Sequence, residues 1–282
     1  MREDALAWTV PVMRAGYAGR GLTYLVIAGF SLWAIWRGGQ AQGPSSALAS
    51  LEGTTGGGIV LVLIFLGLIA YAAWQVLAAA MDLEAHGQDA KGVAGRLGMA
   101  ISGLVYLSLA FAALTLLLSS AGPEGESRLR EWIGTVMGWP GGRWLVGLAG
   151  LVIMGAGAKY VMEGWTASYE RYLAANSSTA RWRTPLRVGV AAHGVALGVI
   201  GLLFLTAAWR ADPSEAGGLA SAFDWLGEQA YGRALVAALC LGLLGFALFC
   251  FVNARWRIVP RVAGDKTETL ARAAQRLAAK VA

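Results

Sequence analysis

The chain has 282 residues, of which 57% are hydrophobic and only 14% charged, with 39 glycines and a formal net charge of +6. That balance is too apolar for a water-soluble domain of this size and is the composition of an integral membrane protein. The basic residues lie between apolar runs rather than among aromatics on a soluble face, which argues against nucleic acid as a partner and for membrane orientation and contact with anionic headgroups.

Residues 1–15 hold Trp8, Val10, Val12 and Met13 around Pro11, with Arg2 and Arg14 near the ends, and read as a short interfacial lead-in. Glu3 and Asp4 come first, and the strongly apolar run starts only after Arg20, so no cleavable signal peptide is expected. From Gly16 to Trp36 the chain is apolar on every face over about 20 residues, the length that crosses about 30 Å of hydrocarbon. A second span is predicted over about 58–80, a third over 97–118, a fourth over 144–162, a fifth over 188–209 and a sixth over 233–253. Between paired spans lie polar loops holding Ala47, Leu48 and Leu51, then Leu129, Trp132 and Ile133, then Ala222, Phe223, Trp225 and Leu226. Each of these sets predicts a short helix on the membrane surface, followed by a glycine-rich turn into the next span.

The chain repeats itself. Arg14, Gly21, Tyr24 and Trp36-Arg37 are answered at one offset by Arg187, Gly194, Leu197 and Trp209-Arg210. Arg96, Gly103 and Tyr106 repeat the opening, with Ser119 where the closing Arg would stand. Three copies of two spans give an all-α polytopic protein of three parallel hairpins about an axis near the membrane normal. The copies occupy residues 1–95, 96–180 and 181–257. Residues 258–282 form a tail in which Asp265 and Glu268 can cap a helix, Leu270, Ala274, Leu277 and Val281 share one side, and Arg272, Arg276 and Lys280 share another. Such a basic amphipathic helix suits the anionic inner leaflet, its own protein or a partner. The N-terminus, the loops at 81–96 and 159–187 and the tail from Arg255 hold 17 of the 23 Lys and Arg, so both termini are expected to be cytoplasmic in a bacterial inner membrane.

Few residues invite chemistry. His193 is the only histidine inside a span; it holds the repeat position of Arg20 and Ser102 and is expected as an interfacial polar residue, with ligation or proton transfer the sharper alternative. Lys159 and Glu163 sit one turn apart at the end of the fourth span, able to pair, to snorkel or to gate. Arg14, Arg96 and Arg187 could form an inward ring that binds an anionic lipid or ligand, or act as three separate lipid anchors. Gly103, Gly194 and Gly198, with Gly147, Gly150, Gly155 and Gly157, suit close helix packing, and odd spans are expected to pack together more closely than even ones. Tyr71 and Trp74 need hydrogen-bond partners in mid-membrane. Cys240 and Cys250 are about 15 Å apart along one helix and cannot bridge. No catalytic, cofactor or metal motif is found, so an enzyme is not expected.

The pattern Arg14-Ala-Gly-Tyr-Ala-Gly-Arg20-Gly21-x-x-Tyr24, with its copies Arg96 to Tyr106 and Arg187 to Leu197, resembles a family of six-span bacterial membrane proteins built from three copies of a two-helix domain of unknown function. The resemblance covers about residues 12–257 and implies a bacterial inner-membrane protein, without assigning an activity. The expected role is a non-catalytic accessory, scaffold or assembly subunit of a larger membrane complex. The alternative is a transporter or channel for a small neutral or anionic solute along the threefold axis.

Overall fold

A computed structural model describes residues 6–52, 54–118, 125–260 and 269–270. In chain order the main helices among the described residues are α1 (Thr9–Trp36), α2 (Pro44–Glu52), α3 (Gly57–Met81), α4 (Ala90–Leu118), α5 (Gly125–Met137), α6 (Gly142–Thr166), α7 (Arg183–Arg210), α8 (Leu219–Gly227) and α9 (Gly232–Trp256), with a short turn of helix, Ser177–Arg181, before α7. The six long ones are each apolar enough to cross a membrane, while α2, α5 and α8 are the loop helices. Three odd spans begin before their apolar runs do. Pro11 lies in the first turn of α1, where its missing N–H costs nothing, so the lead-in joins the helix. All but Thr269 and Leu270 of the tail segment from Asp265 lies outside the described residues. Those two dock on the loop after α6: Leu270 N–H donates to Leu173 O at 2.8 Å, and Thr269 bridges to Ala174.

The turn from each loop helix into the next span has one geometry. Gly56, Gly141 and Tyr231 take left-handed backbone with φ of 83°, 78° and 61°. The following Gly57, Gly142 and Gly232 lie so close under the carbonyls of Leu51, Val136 and Gly227 that a Cβ would collide. This explains the glycine-rich start of every even span.

Helix seams obey the repeat. Gly21 on α1 meets Ala247 and Cys250 on α9; Gly103 on α4 meets Ala72 and Gln75 on α3; Gly194 on α7 meets Gly157 and Val161 on α6. These are the same positions in each copy, so every odd span packs on the preceding even span around the threefold axis. Within hairpins, Gly16 and Gly19 of α1 lie against Tyr71 and Gly67 of α3. Gly189 of α7 lies against Gly245 and Phe246 of α9, and Gly242 against Ala192. The second hairpin differs: no extensive packing joins α4 to α6. The ring therefore runs α4, α3, α1, α9, α7, α6 and stays open between its ends. Every extensive seam pairs an odd span with an even one, so the expectation that odd spans pack together is overturned.

Sequence explains the opening. Gly98 and Gly155 stand where Gly16 and Ala70, or Gly189 and Gly245, meet in the other hairpins, yet both face open space. One turn along, where the other hairpins place Gly19 with Gly67 and Ala192 with Gly242, this one carries Ile101 and Val152, both exposed. Two β-branched side chains cannot be crossed at the backbone distance that glycines permit.

Both ends of the ring are closed. At the face carrying the chain termini, Leu83, Leu173, Val259 and Leu270 are buried together, and the Glu84–Arg257 ion pair, each side chain 9% exposed, ties the segment after α3 to the one after α9. At the opposite face, Glu126 at the start of α5 accepts from Gly218 N (2.9 Å), Ala220 N (3.3 Å) and Ser221 Oγ (3.1 Å), holding the start of α8. Trp36, Trp144 and Trp209 are exposed near that face, and Trp165 near the other, as aromatic belts.

Candidate functional site

One position, six residues after Arg14, Arg96 and Arg187 in the three copies, carries Arg20, Ser102 and His193. It lies almost two turns inside the helix from Arg14, Arg96 and Arg187, deep enough to reach the axis. Arg20 is 4% exposed and His193 5% exposed. The Arg20 guanidinium donates through Nη1 to Tyr71 Oη at 2.8 Å and through Nη2 to His193 Nε2 at 3.2 Å. It lies 4.7 Å from the Phe246 ring centre and 5.0 Å from those of Tyr71 and Tyr106. Each such face attracts a desolvated cation by about 1–2 kcal/mol. His193 stacks on Phe246 at 4.0 Å between ring centres, Tyr24 and Tyr160 meet it edge-on, and Tyr24 Oη lies 3.3 Å from Tyr106 Oη.

The repeat explains who stands here. Tyr71, Ala156 and Phe246 share one position of the even spans, and Gln75, Tyr160 and Cys250 another one turn further. Three copies supply one inward polar residue and one inward ring position each. Where they meet on the axis they differ, because three copies of Arg20 would place three cations in one apolar space.

Hydrogen-bond accounting gives the site its chemical character. A guanidinium can only donate, so His193 Nε2 must accept from Arg20, and the ring proton of neutral His193 then sits on Nδ1. Arg20 Nε and His193 Nδ1 are both buried, and no group accepts from either among the described residues. The unmet groups are thus donors, gathered around a cation that pairs with no carboxylate among the described residues. An arrangement of that kind suits an anionic or strongly accepting oxygen.

The other candidate residues lie elsewhere. Arg96 Nε donates to Ala79 O at 2.6 Å and Nη2 to Ala80 O at 3.2 Å; Arg187 Nε donates to Gly164 O at 3.1 Å and Nη2 to Trp165 O. Each thus caps the C-terminal end of the preceding even span at the same two repeat positions, where helix carbonyls lack partners. Arg14 is exposed. The three do not share an acceptor and do not form an inward ring. Lys159 and Glu163 pair along α6 at 3.7 Å, with the lysine well exposed. His193 is not interfacial, because α7 begins at Arg183 and is already inside the bundle ten residues on. Tyr71 has its partner in Arg20, whereas buried Trp74 Nε1 has none among the described residues. Gly194 lies in the α6–α7 seam, Gly103 in the α3–α4 seam, and the side of Gly198 where a Cβ would stand is open. Arg20 was the residue missed; the available signal was a polar residue at one inward position in all three copies.

No solved structure matches this chain. An uncharacterized protein of Bacillus subtilis (strain 168), YxxB, is 26% identical over 257 residues, which cover 90% of this chain and 93% of the relative. Residues 15–82, 97–167 and 188–257 each match the Domain of Unknown Function DUF1206, the same three hairpins that the repeat defines. This chain is a multi-pass membrane protein and belongs to the DUF1206 family, with three copies of its domain.

Proposed function

We propose that this protein is a non-catalytic component of the bacterial cytoplasmic membrane, with both termini inside, that holds an anionic ligand at the Arg20–His193 centre. The observation that carries this reading is a buried cation with unmet donors and, among the described residues, no carboxylate beside it. Most buried side chains between this centre and the loop-helix face are apolar, among them Ile27, Ile64, Leu68, Leu239 and Leu243, and the hydroxyls of buried Thr23 and Ser31 donate to the carbonyls of Gly19 and Gln42. They weigh against solute passage along the axis. A ligand-holding role fits an accessory or scaffold subunit, and isolation from native membranes in mild detergents tests that part. Migration as a lone species in each detergent would count against it.

Ligand binding is tested by thermal unfolding in an uncharged detergent, with inorganic phosphate, a short carboxylate and phosphatidylglycerol added in turn. A ligand specific to the folded state raises its midpoint. At least one of these should stabilise the native protein and leave Arg20→Gln unmoved. If all three act equally on both proteins, or on neither, the reading fails.

A further inference from the structure

We propose that the ligand of the Arg20–His193 centre is an amphiphile with a phosphate or carboxylate headgroup, which enters sideways from the bilayer between α4 and α6. This rests on the reading of that centre as an anion site. The centre is shut toward the chain termini by Leu83, Leu173, Val259 and the Glu84–Arg257 pair, and toward the loop helices by buried aliphatic side chains. Among the six spans, the break in the ring is the side left unpacked.

Three features make that break a passage rather than a loose joint. First, it is specified: Ile101 and Val152 replace the small pairs that close the other two hairpins, and Gly98 and Gly155 face open space as a result. Second, its two walls reach the centre, since Tyr106 on α4 faces the Arg20 guanidinium and Tyr160 on α6 touches the His193 ring. Third, at two inward positions the copy that borders the break supplies the smallest residues, Ser102 in place of Arg20 or His193 and Ala156 in place of Tyr71 or Phe246. At those two positions the axis is least filled on the side that opens to lipid, with the rings of Tyr106 and Tyr160 as the walls. An acyl chain can lie along the exposed Leu97, Ile101 and Leu104 of α4 while its headgroup oxygens accept from Arg20 and His193. A free anion lacks any reason to use an apolar entrance, because lipid, not water, lies outside it.

Native mass spectrometry in uncharged detergent, with equimolar phosphatidylglycerol and phosphatidylcholine supplied, reads the retained lipid directly. Four proteins are compared: the native chain, Arg20→Gln, Arg20→Lys and Ala156→Phe, the last restoring the ring carried by the third copy. Their melting midpoints confirm folding. The native protein should keep one phosphatidylglycerol and reject phosphatidylcholine, Arg20→Lys should keep part of it, and Arg20→Gln and Ala156→Phe should each lose it by at least about tenfold. Loss in Arg20→Gln with full retention in Ala156→Phe would overturn the lateral route and leave the anion site standing. Retention in Arg20→Gln would overturn both. Should Arg20→Gln not fold, Ala156→Phe and competition by inorganic phosphate decide alone: displacement of the lipid by free phosphate, or phosphate binding without lipid, refutes an amphiphile.

Discussion

Gly16, Gly98 and Gly189 occupy one position of the repeat, and the fold assigns them opposite tolerances. A Cβ on Gly16 would stand 2.6 Å from Tyr71 Cα, and one on Gly189 would collide with the Gly245 and Phe246 backbone, whereas one on Gly98 would meet nothing within 4 Å. Leu at position 16 must therefore push α3 away until the contact reaches about 3.4 Å, where ordinary packing begins. A shift of roughly 0.8 Å forfeits a quarter to a half of the attraction along the seam. Overpacking itself costs about 1–3 kcal/mol, so Gly16→Leu and Gly189→Leu should each lose about 3 kcal/mol or more. By the scaling of soluble domains of similar size that is a midpoint drop of about 6–12 °C. Gly98→Leu should stay within about 1 kcal/mol of the native protein, because glycine in a helix is itself a poor choice. Thermal unfolding of the three variants in one detergent, followed by size exclusion, makes the comparison. Equal losses at all three positions would mean that the second hairpin is closed, and the open ring would be refuted.

Other expectations follow from single contacts. Arg187→Ala and Arg96→Ala strip charged donors from helix-end carbonyls and should cost about 1–2 kcal/mol each, measured by the same unfolding assay, the partial exposure of both keeping the loss small. Glu84→Gln leaves Arg257 buried without its carboxylate and should cost about 3 kcal/mol, while Glu84→Leu with Arg257→Met should recover most of it, as read by a double-mutant cycle in unfolding midpoints. Tyr231 spends left-handed backbone where the other copies use Gly56 and Gly141, so Tyr231→Gly should stabilise by about 0.5–1 kcal/mol in the same midpoint assay. Reporter fusions at Ala47 and Ala174 should report opposite sides of the membrane; one side for both would break the hairpin assignment.

The spans, loop helices and threefold repetition were legible because each rests on a local signal: apolar length, a short amphipathic run, a glycine pair at a turn. The centre was not, and the reason lies in symmetry. Arg14, Arg96 and Arg187 drew attention by being the same in every copy. Arg96 and Arg187 show what that sameness serves, since each even span has a C-terminal end and each end can take the same cap. A position on the axis obeys the opposite rule, because like charges there would face one another. Arg20, Ser102 and His193 had to diverge, and divergence at one inward position is the trace an axial site leaves in such a sequence. The open seam was written equally plainly in Ile101 and Val152, but only a register shared among the hairpins tells which pairs of residues to compare.

The order in which this ring is assembled has a consequence for its synthesis. Arg20 enters the membrane with the first helix, whereas Phe246 belongs to the last and is made 226 residues later, roughly 11–45 s at about 5–20 residues per second. Until α7 is made the guanidinium lacks the imidazole, and until α9 is made it lacks the phenyl face. A nascent chain must keep this charge near headgroups or in the care of the insertion machinery until its sixth helix arrives to seal α1. Truncation before α9 should therefore leave an arginine-bearing first helix without a home, a natural mark for membrane quality control.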